Sequence, residues 1–468
     1  MSNKKLFLIY SILLILNPLK VKAGCDFKTG EFIQQLSSPN YIEDISISIP
    51  DSKKFVTNSL KILKSEGKSI NPKFRKKYNA NIQVKYPFGQ CEYKAKVWQN
   101  GDWKDHIKWN ITYPLTSLNV KLKEGNILNA VKFKLLIPQT RNGINEILGT
   151  VILKNLGFIS PETFEAEVSI NGNKNIMIFQ EDSRKELLER NHRREGPIFE
   201  GDESILWGNY NNKKLFAFEH LSLSRLINWK WFLKGESSQM ITLNSYTDLQ
   251  NSYLPKLRLE GDVISPNFKK NNHFKDFYFL MSTMNGYHAL RPHNRKFYFN
   301  SLQNTFEPIY YDGNFQLEKE INLSNEKLNF SNALSNQYYS PHLEILQDKI
   351  FQKNIKEQFK ARVINFDIKK SNFFENSIAN IIKNSNLLIN YLNSMGDNYL
   401  PLPNVQRSRF LYKDLMKNKE LDQKIIKAYK IIEDKIEILL DDNTKENLSL
   451  YDFSRILSKN SYKNKRYI

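Results

Sequence analysis

Three segments in the first third of the chain alternate apolar and polar residues with a period of two, which only a strand can use. They are Tyr93-Lys94-Ala95-Lys96-Val97-Trp98, Ser117-Leu118-Asn119-Val120-Lys121-Leu122, and the run Val131 to Ile137. Lys121 lies on the face opposite Leu118, Val120 and Leu122. Lys132 and Lys134 share one face of the third run, with Val131, Phe133 and Leu135 on the other, and Pro138 ends it. Ile144, Ile147, Leu148, Val151 and Ile152 then recur at helical spacing, which predicts a helix from about Ile144 to Leu156 stopped by Gly157. Two further strands, at about Ala166–Ile170 and Ile176–Phe179, flank Asn171-Gly172-Asn173, a hairpin turn signal. Ser183-Arg184-Lys185-Glu186 reads as a capping box opening a short helix to Arg190. Phe274–Met284 reads as an apolar helix. Trp207, Trp229 and Trp231 read as core residues. His342–Phe359, Phe374–Leu392 and Leu421–Leu440 read as amphipathic helices. The chain is thus expected to be α+β, strand-rich at first and helical at the end.

Chemistry concentrates between Met284 and Phe315. His288, Arg291, His293, Asn294 and Arg295 fall within eight residues. The apolar run Lys296 to Phe299 follows, then a polar turn, then Pro308 to Tyr311 and Asp312-Gly313-Asn314. Paired as a hairpin, the two runs bring His288, His293 and Asn294 near Asp312 and Asn314. A carboxylate and an amide are hard oxygen ligands for a divalent metal, and basic groups beside them hold phosphate charge. A solvated hairpin loop is the plainer use of the same residues. The polar run His192 to Glu203 likewise suits either an anion or metal site or a salt-bridged loop.

The first residues suggest export. Lys4 and Lys5 precede an eleven-residue apolar run, Leu6 to Leu16, and Val21-Lys22-Ala23 resembles a cleavage site, so residues 1–23 are expected to be a signal peptide. No later segment is apolar enough to be transmembrane. Periplasm, cell surface and secretion all fit. Cys25 and Cys91 are the two cysteines, and an even pair in an exported chain reads as a disulfide; lipidation of Cys25 is the alternative. The net charge is +20, and removing Lys4, Lys5, Lys20 and Lys22 with no acid leaves +16. That balance suggests an anionic partner, either an acidic protein substrate or a surface component. The lysines are spread along the chain and no nucleic-acid motif is present, so nucleic acid is not expected.

A strand lysine, a helix bearing Glu146 and an antiparallel pair ending at Glu181 follow the order of a kinase small lobe, although no Gly-rich loop is present. In this order the pieces SLNVKL, VKFKLLIPQTR, Leu156-Gly157, VSINGNKN with Glu181, Lys185-Glu186, ERNHRREGPI, HALRPHNRKFYFN and EPIYYDG occur between Gly101 and Phe315. With them the chain resembles the spore coat protein H kinase-like family, in its exported bacterial branch, over a little under half its length.

The resemblance implies a two-lobed atypical protein-kinase-like fold with a helical C-terminal extension. Residues 24–180 would form the β-rich first lobe, 181–340 the second-lobe core with the hairpin, and 341–468 the helical region. It implies transfer of a phosphoryl group from ATP, with Mg or Mn, to protein. Asp312 and Asn294 would be metal ligands. Lys121 or Lys134 would hold phosphate, Glu146 would pair with that lysine, and Glu181, Arg291 and His293 would complete the nucleotide site. Active members carry a catalytic-loop Asp where this chain has Asn285-Gly286-Tyr287-His288. Asn285 cannot accept a proton, whereas His288 can. An enzyme using His288, a related ATP-dependent protein-modifying transferase, and a silent pseudokinase-like binding or surface protein all remain open. On this reading Asp312→Ala removes metal-dependent nucleotide binding and leaves the thermal midpoint nearly unchanged.

Overall fold

The alternating segments become neighbouring strands, and the computed structural model describes residues 24–27, 35–110, 113–201, 224–256, 272–290, 294–321, 323, 341–393, 400–401, 426–432, 435–440 and 443–449. The expected signal peptide lies outside the described residues. The strands of the first part are β1 (Gly24–Phe27), β2 (Asp44–Ser48), β3 (Tyr78–Tyr86), β4 (Gly89–Gln99), β5 (Ile107–Asn110), β6 (Tyr113–Thr116), β7 (Leu118–Leu122), β8 (Lys132–Leu136), β9 (Thr163–Ile170) and β10 (Asn173–Glu181). β5 and β6 form a separate ribbon. The others form one sheet in the order β1-β4-β3-β2-β9-β10-β8-β7, closed by a β4–β7 pairing into a seven-stranded barrel.

This overturns the expected two-lobed kinase-like fold. A small-lobe sheet of that kind needs an open sheet of few strands. Here residues 44–99, which lie outside the resemblance, supply β2, β3 and β4 and bend the sheet round on itself. β4 has partners on both edges: β3 along one, β1 and then β7 along the other. β2 closes the remaining gap by running parallel to β9, with Ile45 opposite Val168. The period of two then packs the barrel interior with Ile45, Ile82, Val97, Val120, Phe133, Leu135, Phe164 and Phe179, all almost wholly buried. Residues of the opposite register, Lys132 and Lys134 among them, point outward. The 13-residue helix Ser52–Lys64, which the sequence reading did not mark, buries Phe55 against this interior.

Cys25 and Cys91 form a disulfide between directly paired residues of β1 and β4. Its 66-residue separation implies a loop-closure stabilisation of about 4 kcal/mol in the chain-entropy model.

A second core surrounds the Ile144–Asn155 helix. It contains the Asn272–Thr283 helix, the sheet β12-β11-β13-β14, and the helices Lys349–Lys360 and Ile368–Asn393. Here β11 is Ile198–Gly201, β12 is Ser224–Leu226, β13 is Lys296–Asn300 and β14 is Thr305–Ile309. The expected hairpin is β13–β14, with Lys296 opposite Ile309. Asn171 and Gly172 turn β9 into β10 with positive φ of 48° and 87°.

Three local expectations fail. The Lys185–Arg190 helix starts from Arg184 with no side-chain cap, so Ser183 closes no capping box. Trp229 is 60 % exposed rather than core, Trp231 is half-buried and Trp207 lies outside the described residues. Among the described residues the last elements are strands: where an amphipathic helix was expected over Leu421–Leu440, strands run Ile426–Ile432 and Lys435–Leu440, in a four-stranded sheet with Leu400–Pro401 and Lys445–Ser449. Ile436, Ile438 and Leu440 are buried, so the strand period overrode the helical one. Among the described residues no helix is long and apolar enough to cross a membrane.

Candidate functional site

The site forms where the outer face of β8 meets the segment Tyr310–Phe315. Asp312 and Asn314 both have positive φ, 51° and 54°, a conformation Asp and Asn tolerate better than most side chains. Phe315 fixes the segment. Its ring stacks on Tyr310 at 4.8 Å and lies flush against two glycines. A Cβ on Gly149 would come within 2.2 Å of that ring, and one on Gly286 within 2.7 Å. Asn142 donates to the carbonyls of Asn314 and Phe315 at 3.3 and 3.0 Å, and Asn145 accepts from the Leu317 amide at 2.9 Å. Gly149→Ala is therefore expected to destabilise by about 1–3 kcal/mol through overpacking, against the usual helical preference for Ala. Chemical denaturation checks it, and a stabilised variant would contradict this packing.

So held, Asp312 meets two side chains. Arg141 Nε lies 3.2 Å from its Oδ1, and His288 Nδ1 lies 3.5 Å away. His288 Nδ1 is also 2.8 Å from the Asp312 carbonyl oxygen, and Asn294 Nδ2 lies 3.0 Å from the same nitrogen. Donation from Nδ1–H to that carbonyl leaves Nε2 as the ring nitrogen that can accept. Burial alone would raise the Asp312 carboxyl. Arg141, His288 and Lys134 together hold it well below the ordinary range, so it is ionised.

Of the two strand lysines, Lys134 is the one that stands beside this segment. It is 7 % exposed and stands 3.2 Å from the Tyr311 hydroxyl, whereas Lys121 is exposed on the barrel wall. Burial pushes Lys134 down to about 8, against the pull of Asp182 and with the push of Lys296, Arg141 and Lys132. Lys132 pairs with Asp182 at 2.5 Å, and Arg184 lies 3.4 Å from the same oxygen. Lys296 pairs with Glu200 at 3.2 Å and sits over the Tyr311 ring, 3.9 Å from its centroid; Lys134 lies 4.4 Å from that centroid. Cations thus converge on one place: Lys132, Lys134, Arg141, Arg184 and Lys296.

Other sequence candidates are placed differently. Glu146 is fully buried and takes hydrogen bonds from Gln180 at 2.7 Å and Tyr310 at 2.8 Å, not from a lysine. Burial raises its carboxyl to about 7, with Arg141 opposing. Glu181 belongs to a second cluster, bonded to Arg190 at 3.0 Å beside Glu162. Adjacent strand residues face opposite ways, so the acid beside the lysines is the next residue, Asp182. Asn285 donates to the carbonyls of Gln316 and Lys319 and so braces the turn. Arg291 and His293 lie outside the described residues. In the polar run from His192, Arg193 pairs with Glu307, Glu195 with Lys234, and Glu200 with Arg225 and Lys296, making it a salt-bridged loop; Asp202 and Glu203 lie outside the described residues.

Sequence reasoning gave no role to Arg141, Asp182, Lys296 or Tyr311. Arg141, Lys296 and Tyr311 all stand inside the quoted pieces, and Asp182 follows Glu181 directly. No family model matches the chain, and no curated protein matches it.

Proposed function

We propose that the chain is an exported phosphotransferase that takes a phosphoryl group from ATP, with Mg²⁺ or Mn²⁺, and passes it to a protein hydroxyl. The observation that carries this is the cation cluster at an ionised carboxylate: Lys134, Lys132, Lys296 and Arg141 around Asp312 and Asp182. A triphosphate needs such a cluster, since catalysis on it is mostly positioning and charge neutralisation. Lys134 and Arg141 hold phosphate oxygens. His288 takes the proton of the attacking hydroxyl on Nε2, because Nδ1 is engaged by the Asp312 carbonyl. The resemblance to the spore coat protein H kinase-like family supports the same chemistry, and the disulfide is compatible with export.

The residues fit a divalent metal sparingly. Among the described residues no three His, Cys, Asp or Glu side chains group as a metal site. Mg²⁺ keeps several waters, so the Asp312 carboxylate and the Asn294 amide oxygen suffice, the latter because Asn294 bonds the His288 carbonyl through Nδ2. Bound there, the metal would offset triphosphate charge.

A second reading, nucleotide binding without transfer, draws on Asn285, whose amide is committed to the backbone where active relatives carry a carboxylate. Calorimetry with Mg-ATP and Mn-ATP, followed by a protein-phosphorylation assay, separates the two. Binding with transfer is expected, and His288→Ala should cut transfer by about 10²-fold or more while binding persists. Binding without transfer in the unsubstituted protein supports the second reading. No binding with either metal overturns both.

A further inference from the structure

We infer that the outer face of the barrel across β4, β7 and β8 docks an acidic, extended segment of the protein substrate and leads it to the candidate site. The inference rests on the phosphotransferase reading above and names its substrate class. Lysines that are spread in sequence are gathered here by strand register. Lys96 stands directly opposite Lys121, and Lys121 directly opposite Lys132. The Lys123 amide bonds the Lys94 carbonyl at 2.8 Å, so these two residues continue the same pairing. All of them face outward, because Ala95, Val97, Val120, Leu122 and Phe133, which alternate with them, fill the interior. In the next row Trp98 stands opposite Asn119, and Asn119 opposite Lys134. Lys77 and Lys132 lie over the Trp98 ring, 5.4 and 5.7 Å from its centroid. Successive rows therefore run without a break from Lys94 and Lys123, through Lys96 and Lys121, to the lysine of the site.

Like charges directly opposite one another weaken a sheet. Lys132 is offset by Asp182, but the outer rows are not offset in the same way. Among the described residues Lys94, Lys96, Lys121 and Lys123 make no ion pair. The acids nearest to them in sequence are Glu92, which accepts a hydrogen bond from Gln83 at 3.4 Å, and Glu124 beside Lys123. A polypeptide bearing carboxylates fits this face in charge and in spacing. Residues two apart on a strand are about 7 Å apart, and so are alternate side chains of an extended peptide. A peptide running along β7 would set one carboxylate at Lys94 and Lys123 and the next at Lys96 and Lys121. Its following outward residue would reach the row of Lys134, which places the acids about two and four residues from the acceptor hydroxyl. A lipid surface fits less well, because interfacial binding needs an apolar face beside the cations. The large apolar side chain in these rows is Trp98, and two ammonium groups already lie against its ring.

The test uses a synthetic peptide with a serine and glutamates about two and four residues from it, and a second peptide with glutamine in place of glutamate. Binding is read by fluorescence anisotropy without ATP, and transfer to the serine is read with Mg-ATP. The variant combines Lys94→Glu and Lys96→Glu. Each new carboxylate faces a lysine across the sheet, so the thermal midpoint should not fall. Lys349→Glu with Lys353→Glu, both exposed on the Lys349–Lys360 helix, changes the net charge equally elsewhere. The glutamate peptide is expected to bind more tightly than the glutamine one, and less so as salt rises. The β4 variant should lose about tenfold or more in affinity and the helix variant less than about twofold. In the transfer assay the loss should appear in KM, with kcat and nucleotide binding unchanged. Equal peptide binding by the parent and the β4 variant, or an equal loss in the helix variant, overturns this inference; transfer that persists then leaves the phosphotransferase reading standing. Capture of phosphatidylglycerol vesicles through the same lysines, without peptide binding, overturns it in favour of a membrane. Absence of both Mg-ATP binding and transfer overturns the phosphotransferase reading and the substrate role with it, even where the peptide binds.

Discussion

Lys134→Met is expected to give a protein that is more stable than the parent and has lost its nucleotide affinity. The lysine is buried with Lys132, Lys296 and Arg141 beside it, and its ammonium is brought down to about 8. Holding that charge in place costs about 3 kcal/mol below pH 8, and an unbranched apolar side chain of similar length removes the cost. The sign with pH follows. A lysine whose folded pKa is depressed binds fewer protons folded than unfolded between about 8 and its ordinary value. The parent therefore gains stability as pH rises through that window, and the advantage of Lys134→Met shrinks. Below pH 8 the advantage is full. Urea denaturation at pH 7 and pH 10 measures it, and a variant less stable than the parent at pH 7 would refute this account of the site. The exchange of stability for binding is common at functional charges.

Asp312→Asn should do the reverse to stability, lowering it by about 3 kcal/mol at pH 7, as well as removing nucleotide binding. The sequence alone suggested that losing this carboxylate would leave stability unchanged. The structure corrects that, because Arg141 is buried against Asp312 and would be left an uncompensated cation. Asn tolerates the positive φ at this position as Asp does, so the substitution isolates the charge; Asp312→Ala adds backbone strain of roughly another 1 kcal/mol. A carboxylate with a depressed folded pKa contributes stability above its unfolded value and loses it as pH falls. The difference between parent and variant should therefore fade below about pH 4. Thermal melts from pH 3 to pH 7 check this. A difference that persists unchanged at pH 3 would mean that charge is not its origin.

The elements of this fold were legible wherever a period was long and clean. β4, β7, β8, the Ile144–Asn155 helix, the β9–β10 hairpin and the β13–β14 hairpin all follow from spacing. The closure of the barrel was not, since nothing local tells Ile45 that its partner is Val168. The terminal strands misled because Ile425, Tyr429, Ile432, Ile436 and Leu439 satisfy a helical spacing, while Ile436, Ile438 and Leu440 in the same run satisfy a strand one. At the site, the sequence supplied Asp312, Asn294 and His288 as one group because a hairpin brings its two flanks together. It left Lys121 and Lys134 equivalent, since both alternate correctly and only the packing of Tyr311 distinguishes them. Glu181 was one residue off the right face, which a period of two turns into the wrong cluster.

The parallel pairing of β2 with β9 also sets an order of events. When the chain is synthesised, β2, β3 and β4 emerge early and can join as a meander. Two of its edges then wait: the outer side of β2, and the half of β4 that later takes β7. The barrel cannot close until β10 has appeared, up to Glu181, so its slowest step should be a long-range search rather than a local turn. Until then those bare edges are the places where a second nascent chain can add a strand.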